Sequence, residues 1–377
     1  MDILYYLVSF FVIINTVVFV HEYGHYLAAK TVGVKVTKFS LGIGPELWGV
    51  DDKHGTRWCI SAFPVGGYVM MLGDGDMASA TENGAALQTL SEEEKKFSFS
   101  AKNNWEKMLV AFCGPFFNYI YAFLVIVIMS WCYGFPNYPS VVGKVSTNSA
   151  AKKHGIVAGD KIISVDGRGV SRYRDVDVAI ANNKSGRVDF VIERKGRRVA
   201  ISVVPEVQET KKLLGGVRKS KLVGISVGKP TFEKRSLFES VQFSFRSCYR
   251  ATMEFCKILS KLFSGKKSLD DFSGVVQMAS MAGDLTKSGN YALLIIFTAM
   301  LSLNLGFINL FPLPVLDGGR ILICFVEEVI RKKLNKTLQE RIMMVCAVLL
   351  ILLMLVTTVN DILRIEAVNK FVSSLME

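Results

Sequence analysis

Residues 21–25 read His21-Glu22-Tyr23-Gly24-His25 and follow an almost wholly apolar stretch, Leu4 to Val20. Two histidines four positions apart project from one face of a helix, one turn above the other. Imidazoles at this spacing can bind one zinc ion, and the glutamate beside them can act as general base on a zinc-bound water. Ionisable groups at the end of a hydrophobic segment are costly and usually functional. The stretch predicts a zinc site on a membrane helix; the alternative is ordinary polar residues at a membrane boundary.

The composition agrees with a membrane protein. Half of the 377 residues are hydrophobic and the mean hydropathy is positive. A bilayer is crossed by about 20 consecutive apolar residues in a helix, and Pro312 and Pro314 break the third such run near its end. We therefore predict a polytopic α-helical membrane protein with about four transmembrane helices, at Leu4–Ala29, Met108–Tyr133, Tyr291–Leu316 and Ile342–Val359.

The net charge of +12 arises from 45 Lys and Arg against 33 Asp and Glu. Nucleic-acid binding is one interpretation of a basic chain. Positive-inside loops are the better one, since a basic loop, Arg331 to Lys336, separates the third and fourth spans, and three lysines directly follow the first. Both loops are then cytoplasmic, and the segment between spans two and three lies outside. The seven cysteines include no Cys-x-x-Cys pair, which argues against a cysteine-based zinc site.

Four regions follow from the pattern of charge and hydrophobicity. The N-terminal membrane part, 1–139, contains a glycine-rich stretch, Phe63–Met71, that indicates a β-hairpin region. This hairpin either dips into the membrane or is an ordinary surface hairpin. Short β-rich runs and one helix in 140–228 predict a small α/β module outside the membrane. An amphipathic helical connector, 229–289, and a C-terminal membrane part, 290–377, complete the chain.

A zinc site on the first helix needs a third protein ligand. Asp317 ends the third apolar run, and the predicted topology places it on the same side of the membrane as His21 and His25. Two histidines and one carboxylate, with a fourth position open for water, form a catalytic zinc site. An Asp-Gly turn outside the membrane is the alternative for Asp317, but the matching membrane depth favours the metal ligand.

At this point the sequence resembles the site-2 protease family of intramembrane zinc metalloproteases, and within it the bacterial regulator of sigma E proteases. Three stretches carry the resemblance: 21–25, Gly114 to Asn118, and Asn309 to Gly318. The segment from Asn148 to Gly167 resembles a PDZ domain. The sigma E regulators carry two PDZ domains in tandem, whereas 140–228 has room for one.

The resemblance implies a role for individual residues. His21, His25 and Asp317 would bind one zinc ion per chain, and Glu22 would be the catalytic base. Asn309, and less directly Asn304, would contact the substrate or stabilise the oxyanion. The glycine-rich stretch, with its residues Gly66, Gly67 and Tyr68, would pair with an unwound substrate segment.

The resemblance also implies a function and a location. The enzyme would be a metalloendopeptidase that cleaves transmembrane segments of single-span proteins in a bacterial inner membrane, for example an anti-sigma factor in an envelope stress response. The expected partners are these substrates, a peptide or protein ligand of the PDZ-like module and the lipid bilayer, with no nucleic acid. The module would be extracytoplasmic and the active site would lie toward the cytoplasm. A transporter, or a zinc-dependent scaffold without activity, is the alternative.

Overall fold

The computed structural model describes residues 2–73, 91–183, 185–211, 217–264 and 274–364. The chain divides into two compact units. The first, here called the helical unit, comprises Met1–Ile128 and Leu237–Glu377; the second, here called the inserted unit, comprises Met129–Ser236. Parts of the predicted connector and of the predicted C-terminal membrane part, 265–273 and 365–377, lie outside the described residues.

Helices dominate the helical unit. In chain order the helices of the described residues are α1 (Asp2–Thr31), α2 (Glu92–Lys96), α3 (Asn104–Ile128), α4 (Ala150–Lys153), α5 (Tyr173–Asn182), α6 (Leu237–Phe263), α7 (Val275–Lys287), α8 (Tyr291–Asn309), α9 (Asp317–Ile330) and α10 (Lys336–Arg364). A 3₁₀ turn at Phe99–Ala101 precedes α3, and a π-helical turn at Met129–Tyr133 follows it. Only α4 and α5 belong to the inserted unit.

Four helices within the described residues are long and apolar enough to cross a membrane, as the sequence predicts. The third of these helices ends earlier than the predicted apolar run. It stops at Asn309 instead of Leu316, because Pro312 and Pro314 lack the amide hydrogen that a continuing helix requires. The apolar stretches lie at Leu4–Thr31, Asn104–Tyr133, Tyr291–Asn309 and Thr337–Ile362.

Helix α3 is the centre of the helical unit and packs against α1, α8 and α9. Glycines permit the close approach of its neighbours. A Cβ atom on Gly24 of α1 would lie 2.4 Å from the carbonyl oxygen of Cys113, and one on Gly306 of α8 would lie 2.9 Å from that of Pro115. Small residues at helix contacts are the usual means of close packing in membranes. These contacts bring the carriers of the predicted site residues together.

Two long antiparallel strands, β1 (Val36–Asp51) and β2 (Arg57–Met71), follow α1. Both strands bend, so that Ser40 pairs with Tyr68 on one side and with Cys59 on the other. The result is a four-segment sheet in which Gly67–Met71 forms one edge. Its bend reaches the first membrane helix, where Asn15 Nδ2 donates a hydrogen bond to the carbonyl oxygen of Pro64 at 2.9 Å.

The inserted unit is mainly β-structure with two short helices. Its described strands are β3 (Phe135–Asn137), β4 (Val142–Val145), β5 (Lys161–Val165), β6 (Arg168–Gly169), β7 (Val188–Arg194), β8 (Arg197–Val203), β9 (Glu206–Lys211), β10 (Val217–Leu222), β11 (Ile225–Val227) and β12 (Thr231–Glu233). The central sheet has the antiparallel order β6-β5-β7-β8, and three further pairs are β3 with β12, β4 with β11 and β9 with β10. The pairing of β3 with β12 extends the unit beyond the predicted range 140–228.

Candidate metal centre

Three predicted residues, His21 and His25 of α1 and Asp317 of α9, meet in the helical unit. The Nε2 atoms of the two histidines lie 3.1 Å apart. Asp317 Oδ2 lies 3.1 Å from His21 Nε2, and its Oδ1 lies 3.4 Å from His25 Nε2. Both histidines are buried. Three potential ligand atoms therefore converge on one point, although 292 positions separate His25 from Asp317.

The turn between α8 and α9 positions Asp317. Leu316 immediately precedes α9, and Asp317 is its first residue, where the positive end of the helix dipole favours a carboxylate. A Cβ atom on Gly318 would lie 2.2 Å from the carbonyl oxygen of Leu310, so only glycine permits this tight turn. Burial by itself raises the pKa of Asp317, but the charges of the two histidines and their hydrogen bonds lower it below its ordinary value.

His25 is held against α3 by two features of that helix. A Cβ atom on Gly114 would lie 2.3 Å from His25 Nε2, so the missing side chain makes room for the ring. On its other side, His25 Nδ1 donates a hydrogen bond to the carbonyl oxygen of Val110 at 2.8 Å. A carbonyl only accepts, so the Nδ1 atom carries the proton and the Nε2 lone pair faces Asp317.

His21 contacts side-chain amides from two other helices. The carboxamide nitrogen of Asn118 on α3 lies 3.1 Å from His21 Nδ1. Asn309 at the end of α8 places its carboxamide nitrogen 3.3 Å from His21 Nε2. Asn118 in turn contacts Ser302, whose hydroxyl lies 3.0 Å from Asn118 Oδ1 and 3.1 Å from its carbonyl oxygen. Three membrane helices thus surround the His21 ring.

Glu22 lies beside the edge of the β-sheet. A Cβ atom on Gly67 would lie 3.3 Å from Glu22 Cγ. The edge segment Gly67–Met71 therefore passes directly next to the predicted base. Gly66 has a φ of +80°, which favours glycine at this bend.

Asn304 and Tyr68 are not among the three converging residues. Asn304 is five residues before Asn309 on the same helix, so the two side chains point about 140° apart around its axis. Within the described part of the chain, no hydrogen bond from Asn304 to the three converging residues is found, and its role stays a prediction. The Tyr68 ring lies 6.0 Å from Lys38 Nζ.

The donor set fits zinc. Catalytic zinc sites use imidazole nitrogen and carboxylate oxygen from three protein ligands, with bonds of about 2.0–2.1 Å in tetrahedral geometry. Such bonds place the ligand atoms about 3.3 Å apart, close to the observed separations of 3.1, 3.1 and 3.4 Å. Three residues fill three corners of a tetrahedron and leave the fourth corner for water or substrate.

The sequence left some neighbours of the site unassigned. Asn118 lies inside an apolar run, where an asparagine usually hydrogen-bonds a neighbouring helix, but the run does not indicate whether it contacts the site. Ser302, Gly114 and the carbonyl oxygen of Val110 were not predicted to contact the histidines or their partners. Gly114 and Asn118 belong to the Gly114-Pro115-Phe116-Phe117-Asn118 stretch, and their spacing of four was the available signal. Nothing distinguishes Ser302 from other hydroxyl residues in apolar helices.

Comparison with known proteins finds relatives along most of the chain. The family model described as peptidase family M50 matches residues 9–353. A protein named as a zinc metalloprotease from Mesorhizobium japonicum is 34% identical over 338 residues, which cover 89% of this chain and 92% of that protein. Metalloprotease MmpA from Caulobacter vibrioides is 30% identical over 390 residues, which cover 98% of each chain.

Proposed function

Because the chain belongs to peptidase family M50 and is a zinc-dependent metalloprotease, we propose that it is an intramembrane endopeptidase. Its substrates are the transmembrane segments of single-span membrane proteins. The observation that carries the proposal is the meeting of His21, His25 and Asp317, with the two histidines on a helix that is long and apolar enough to cross a membrane. A hydrolytic site at this place acts on peptide bonds within or next to the bilayer.

In the proposed mechanism His21, His25 and Asp317 would hold one zinc ion, which would supply a Lewis acid for the scissile carbonyl and for a water molecule. Glu22 takes the proton from the attacking water and delivers it to the leaving nitrogen. Asn309, whose carboxamide nitrogen lies 3.3 Å from His21 Nε2, donates a hydrogen bond to the substrate carbonyl oxygen as negative charge develops there.

The β-sheet is the proposed substrate-binding element. A transmembrane helix satisfies its peptide groups internally, so a segment of it must unwind before hydrolysis. The segment Gly66–Tyr68 leads into the edge strand beside Glu22, and an unwound segment can add to such an edge as a further strand. The hydrogen bond from Asn15, in the middle of the first membrane helix, to Pro64 supports a position of the sheet's bend within the bilayer.

The inserted unit is proposed to be a single PDZ-like module outside the membrane. Its sheet and helices have the size and the mixed α/β content of such a module, and the segment Asn148 to Gly167 resembles a PDZ domain. The module binds a peptide or limits the size of the substrate's outer domain, so cleavage depends on prior trimming. This pattern fits a protease of a bacterial inner membrane that acts on an anti-sigma factor, as in the regulator of sigma E proteases.

The decisive experiment compares the zinc-loaded wild-type protein with Glu22→Gln on a model single-span substrate. Glu22→Gln keeps the shape of the side chain but cannot accept the proton, so we expect zinc to remain and cleavage to fall below detection. Glu92→Gln, on an exposed helical turn outside the site, is the matched control and should cleave at the wild-type rate. Cleavage by Glu22→Gln near the wild-type rate would rule out the mechanism.

Metal analysis tests the ligands separately. His21→Ala, His25→Ala and Asp317→Ala should each lose the single zinc ion, because each removes one of three protein ligands. Full zinc occupancy in Asp317→Ala would exclude Asp317 as a ligand. Zinc binding by wild type without cleavage of any membrane substrate would instead favour the inactive scaffold.

Labelling of single introduced cysteines tests the orientation in intact cells after the seven native cysteines are replaced. A cysteine at Lys195, in the inserted unit, should react with a membrane-impermeant reagent. A cysteine at Lys333, between α9 and α10, should not react. The opposite pattern would invert the proposed orientation of the enzyme.

A further inference from the structure

The two histidines of the site are oriented by different kinds of partner. His25 donates from Nδ1 to the carbonyl oxygen of Val110, an acceptor with only one possible role. His21 contacts the carboxamide of Asn118 through Nδ1, and that carboxamide presents either a donor or an acceptor, depending on its rotation by 180°. The protonation pattern of the His21 ring therefore depends on how the Asn118 carboxamide is held.

The structure places the carboxamide with its nitrogen facing His21 and its oxygen facing Ser302; the two ends of a carboxamide are told apart only by their hydrogen bonds. Consider first this rotation. The carboxamide nitrogen donates to Nδ1, so Nδ1 has no proton and the ring carries its proton on Nε2. That proton then points into the space shared with His25 Nε2 and Asp317 Oδ2, each 3.1 Å from His21 Nε2. A metal ion needs the same lone pair, so this rotation is incompatible with zinc.

The hydroxyl of Ser302 decides between the two rotations. It lies 3.0 Å from one end of the Asn118 carboxamide and 3.1 Å from the Asn118 carbonyl oxygen, yet it has a single proton. If the carboxamide oxygen faces Ser302, two acceptors compete for that proton. If the nitrogen faces Ser302, the hydroxyl donates to the backbone carbonyl and accepts from the carboxamide, and every donor has its own acceptor.

We propose that Asn118, locked by Ser302, is a positioning residue that keeps His21 in the tautomer required for zinc. The Asn118 oxygen accepts the Nδ1 proton of His21, the Asn118 nitrogen donates to Ser302, and Ser302 donates to the Asn118 carbonyl oxygen. The Nε2 lone pair of His21 is thereby directed at the metal position. This inference rests on the proposed function, since it assumes that His21 binds zinc through Nε2.

All three groups are buried, and His21 is the most exposed of them at 7%. Asn118 and Ser302 are both 0% exposed, so water does not replace a missing partner. Hydrogen-bond partners of metal-ligating histidines fix the ring tautomer, and their loss typically weakens metal affinity about 10- to 100-fold. The series of hydrogen bonds from His21 through Asn118 to Ser302 connects three helices, α1, α3 and α8.

The test measures zinc affinity by competition with a chromophoric chelator and records the absorption spectrum of the cobalt(II) form. We expect Asn118→Leu to weaken zinc binding about 10- to 100-fold and to change the cobalt spectrum. Asn118→Asp should keep the affinity within about threefold of wild type, because a carboxylate can only accept from Nδ1. Ser302→Ala, which frees the carboxamide to rotate, should fall between these two variants.

Ser244→Ala is the matched control. Ser244 is also buried and donates to a backbone carbonyl of α3, that of Phe123, at 2.7 Å, but it lies on α6 and contacts none of the site residues. It should leave zinc affinity and the cobalt spectrum unchanged. Equal losses in Ser244→Ala and Ser302→Ala would reduce the role of Ser302 to helix packing and overturn the inference.

Failure of this inference is distinguishable from failure of the proposed function. If His21→Ala loses zinc but Asn118→Leu binds it as wild type does, only the positioning role is wrong. An equal loss in Asn118→Asp and Asn118→Leu would also overturn it, since acceptance from Nδ1 would then be irrelevant. If His21→Ala keeps its zinc, the metal lies elsewhere and both proposals fail. Should Asn118→Leu not fold, the comparison of Asn118→Asp and Ser302→Ala with Ser244→Ala decides the matter.

Discussion

The inserted unit and the helical unit differ in where they place their large apolar side chains. The inserted unit encloses an apolar cluster that includes Val142, Ile162 and Phe190, each no more than 1% exposed. The helical unit buries polar groups such as Asn118 and Ser302 beside apolar ones, and many of its large apolar side chains lie outward. Helix α10 is the extreme case, because its apolar stretch has a mean hydropathy of 3.0 and is only 6% buried.

This difference is expected of a chain that folds in two solvents. In water, the removal of apolar surface stabilises the core, so hydrophobic residues point inward. In a bilayer, the lipid is as apolar as leucine, and helices associate through close packing and hydrogen bonds. The candidate metal centre lies in the helical unit, whose interior contains hydrogen-bonding groups. The comparison of the two interiors predicts which substitutions each unit tolerates.

The largest effect is expected from Gly114→Ala in the helical unit. The new methyl group would lie 2.3 Å from His25 Nε2, so the ring must leave its position and zinc binding should fall by more than about 100-fold. Zinc stoichiometry after dialysis measures the loss. Gly169→Ala in the inserted unit, which would meet no atom within 4 Å, is the matched control. Retention of zinc by Gly114→Ala would show that the helices can separate.

The second expected effect is on the inserted unit alone. Phe190→Ala leaves a cavity in the apolar core of the inserted unit and should lower the stability of that unit by about 3–5 kcal/mol. Limited proteolysis should then cut between residues 129 and 236 at lower denaturant concentration, while zinc content stays at the wild-type level. Val178→Ala, at a half-exposed position of α5, should not change the cleavage. Loss of zinc in Phe190→Ala would show that the two interiors are not independent.

A third prediction concerns the ion pair between the buried Asp160 and the half-buried Arg194 of the inserted unit. Burial by itself raises the pKa of Asp160. Arg194 donates two hydrogen bonds of 2.7 Å to the carboxylate, and the backbone amide of Val157 donates a third at 2.9 Å; together they lower the pKa below its ordinary value. The folded unit therefore binds the Asp160 proton less tightly than the unfolded chain does. The resulting stability is complete above the unfolded pKa of about 3.9 and is lost as the pH falls below it.

Asp160→Asn tests this linkage by removing the charge. It should lower the stability of the inserted unit at pH 7 by about 1.5–3 kcal/mol, the usual contribution of a hydrogen bond to a charged group. It should also flatten the dependence of that stability on pH below about 4. Hydrogen exchange of the β5 and β7 amides in the full-length protein provides the measurement. If the stability of the inserted unit depends on pH in Asp160→Asn as it does in wild type, other carboxylates cause that dependence.

The smallest effect is expected on the outward face of α10. Leu352 is 52% exposed, and Leu352→Ala should change stability by less than about 0.5 kcal/mol, because lipid contacts one side chain as readily as the other. Leu303→Ala is the matched interior change: this side chain is fully buried on α8, and its loss should cost about 2–5 kcal/mol. Thermal unfolding in detergent compares the two variants. Equal losses would indicate that the outward face of α10 packs against protein.

Much of the helical architecture follows from local sequence. Four apolar runs of sufficient length predict four membrane-spanning helices, and the spacing of His21 and His25 predicts that both face one side of α1. The β-rich runs of 140–228 predict the strands of the inserted unit. Helix ends are predicted less well. The apolar run continues to Leu316, but α8 ends at Asn309 because Pro312 and Pro314 cannot donate backbone hydrogen bonds. Hydropathy alone does not include this effect.

The sequence by itself determined the candidate chemistry of this protein: two imidazoles on one helix face with a glutamate beside them, and an aspartate at the end of another apolar run. Only the tertiary structure decided that Asp317 lies 3.1 Å from His21, that Asn118 contacts the His21 ring and that Ser302 contacts Asn118. The physical reason is that periodicity fixes directions within one helix. Contacts between helices depend on which surfaces approach closely, and here glycines without a Cβ atom, such as Gly24 and Gly114, set that approach.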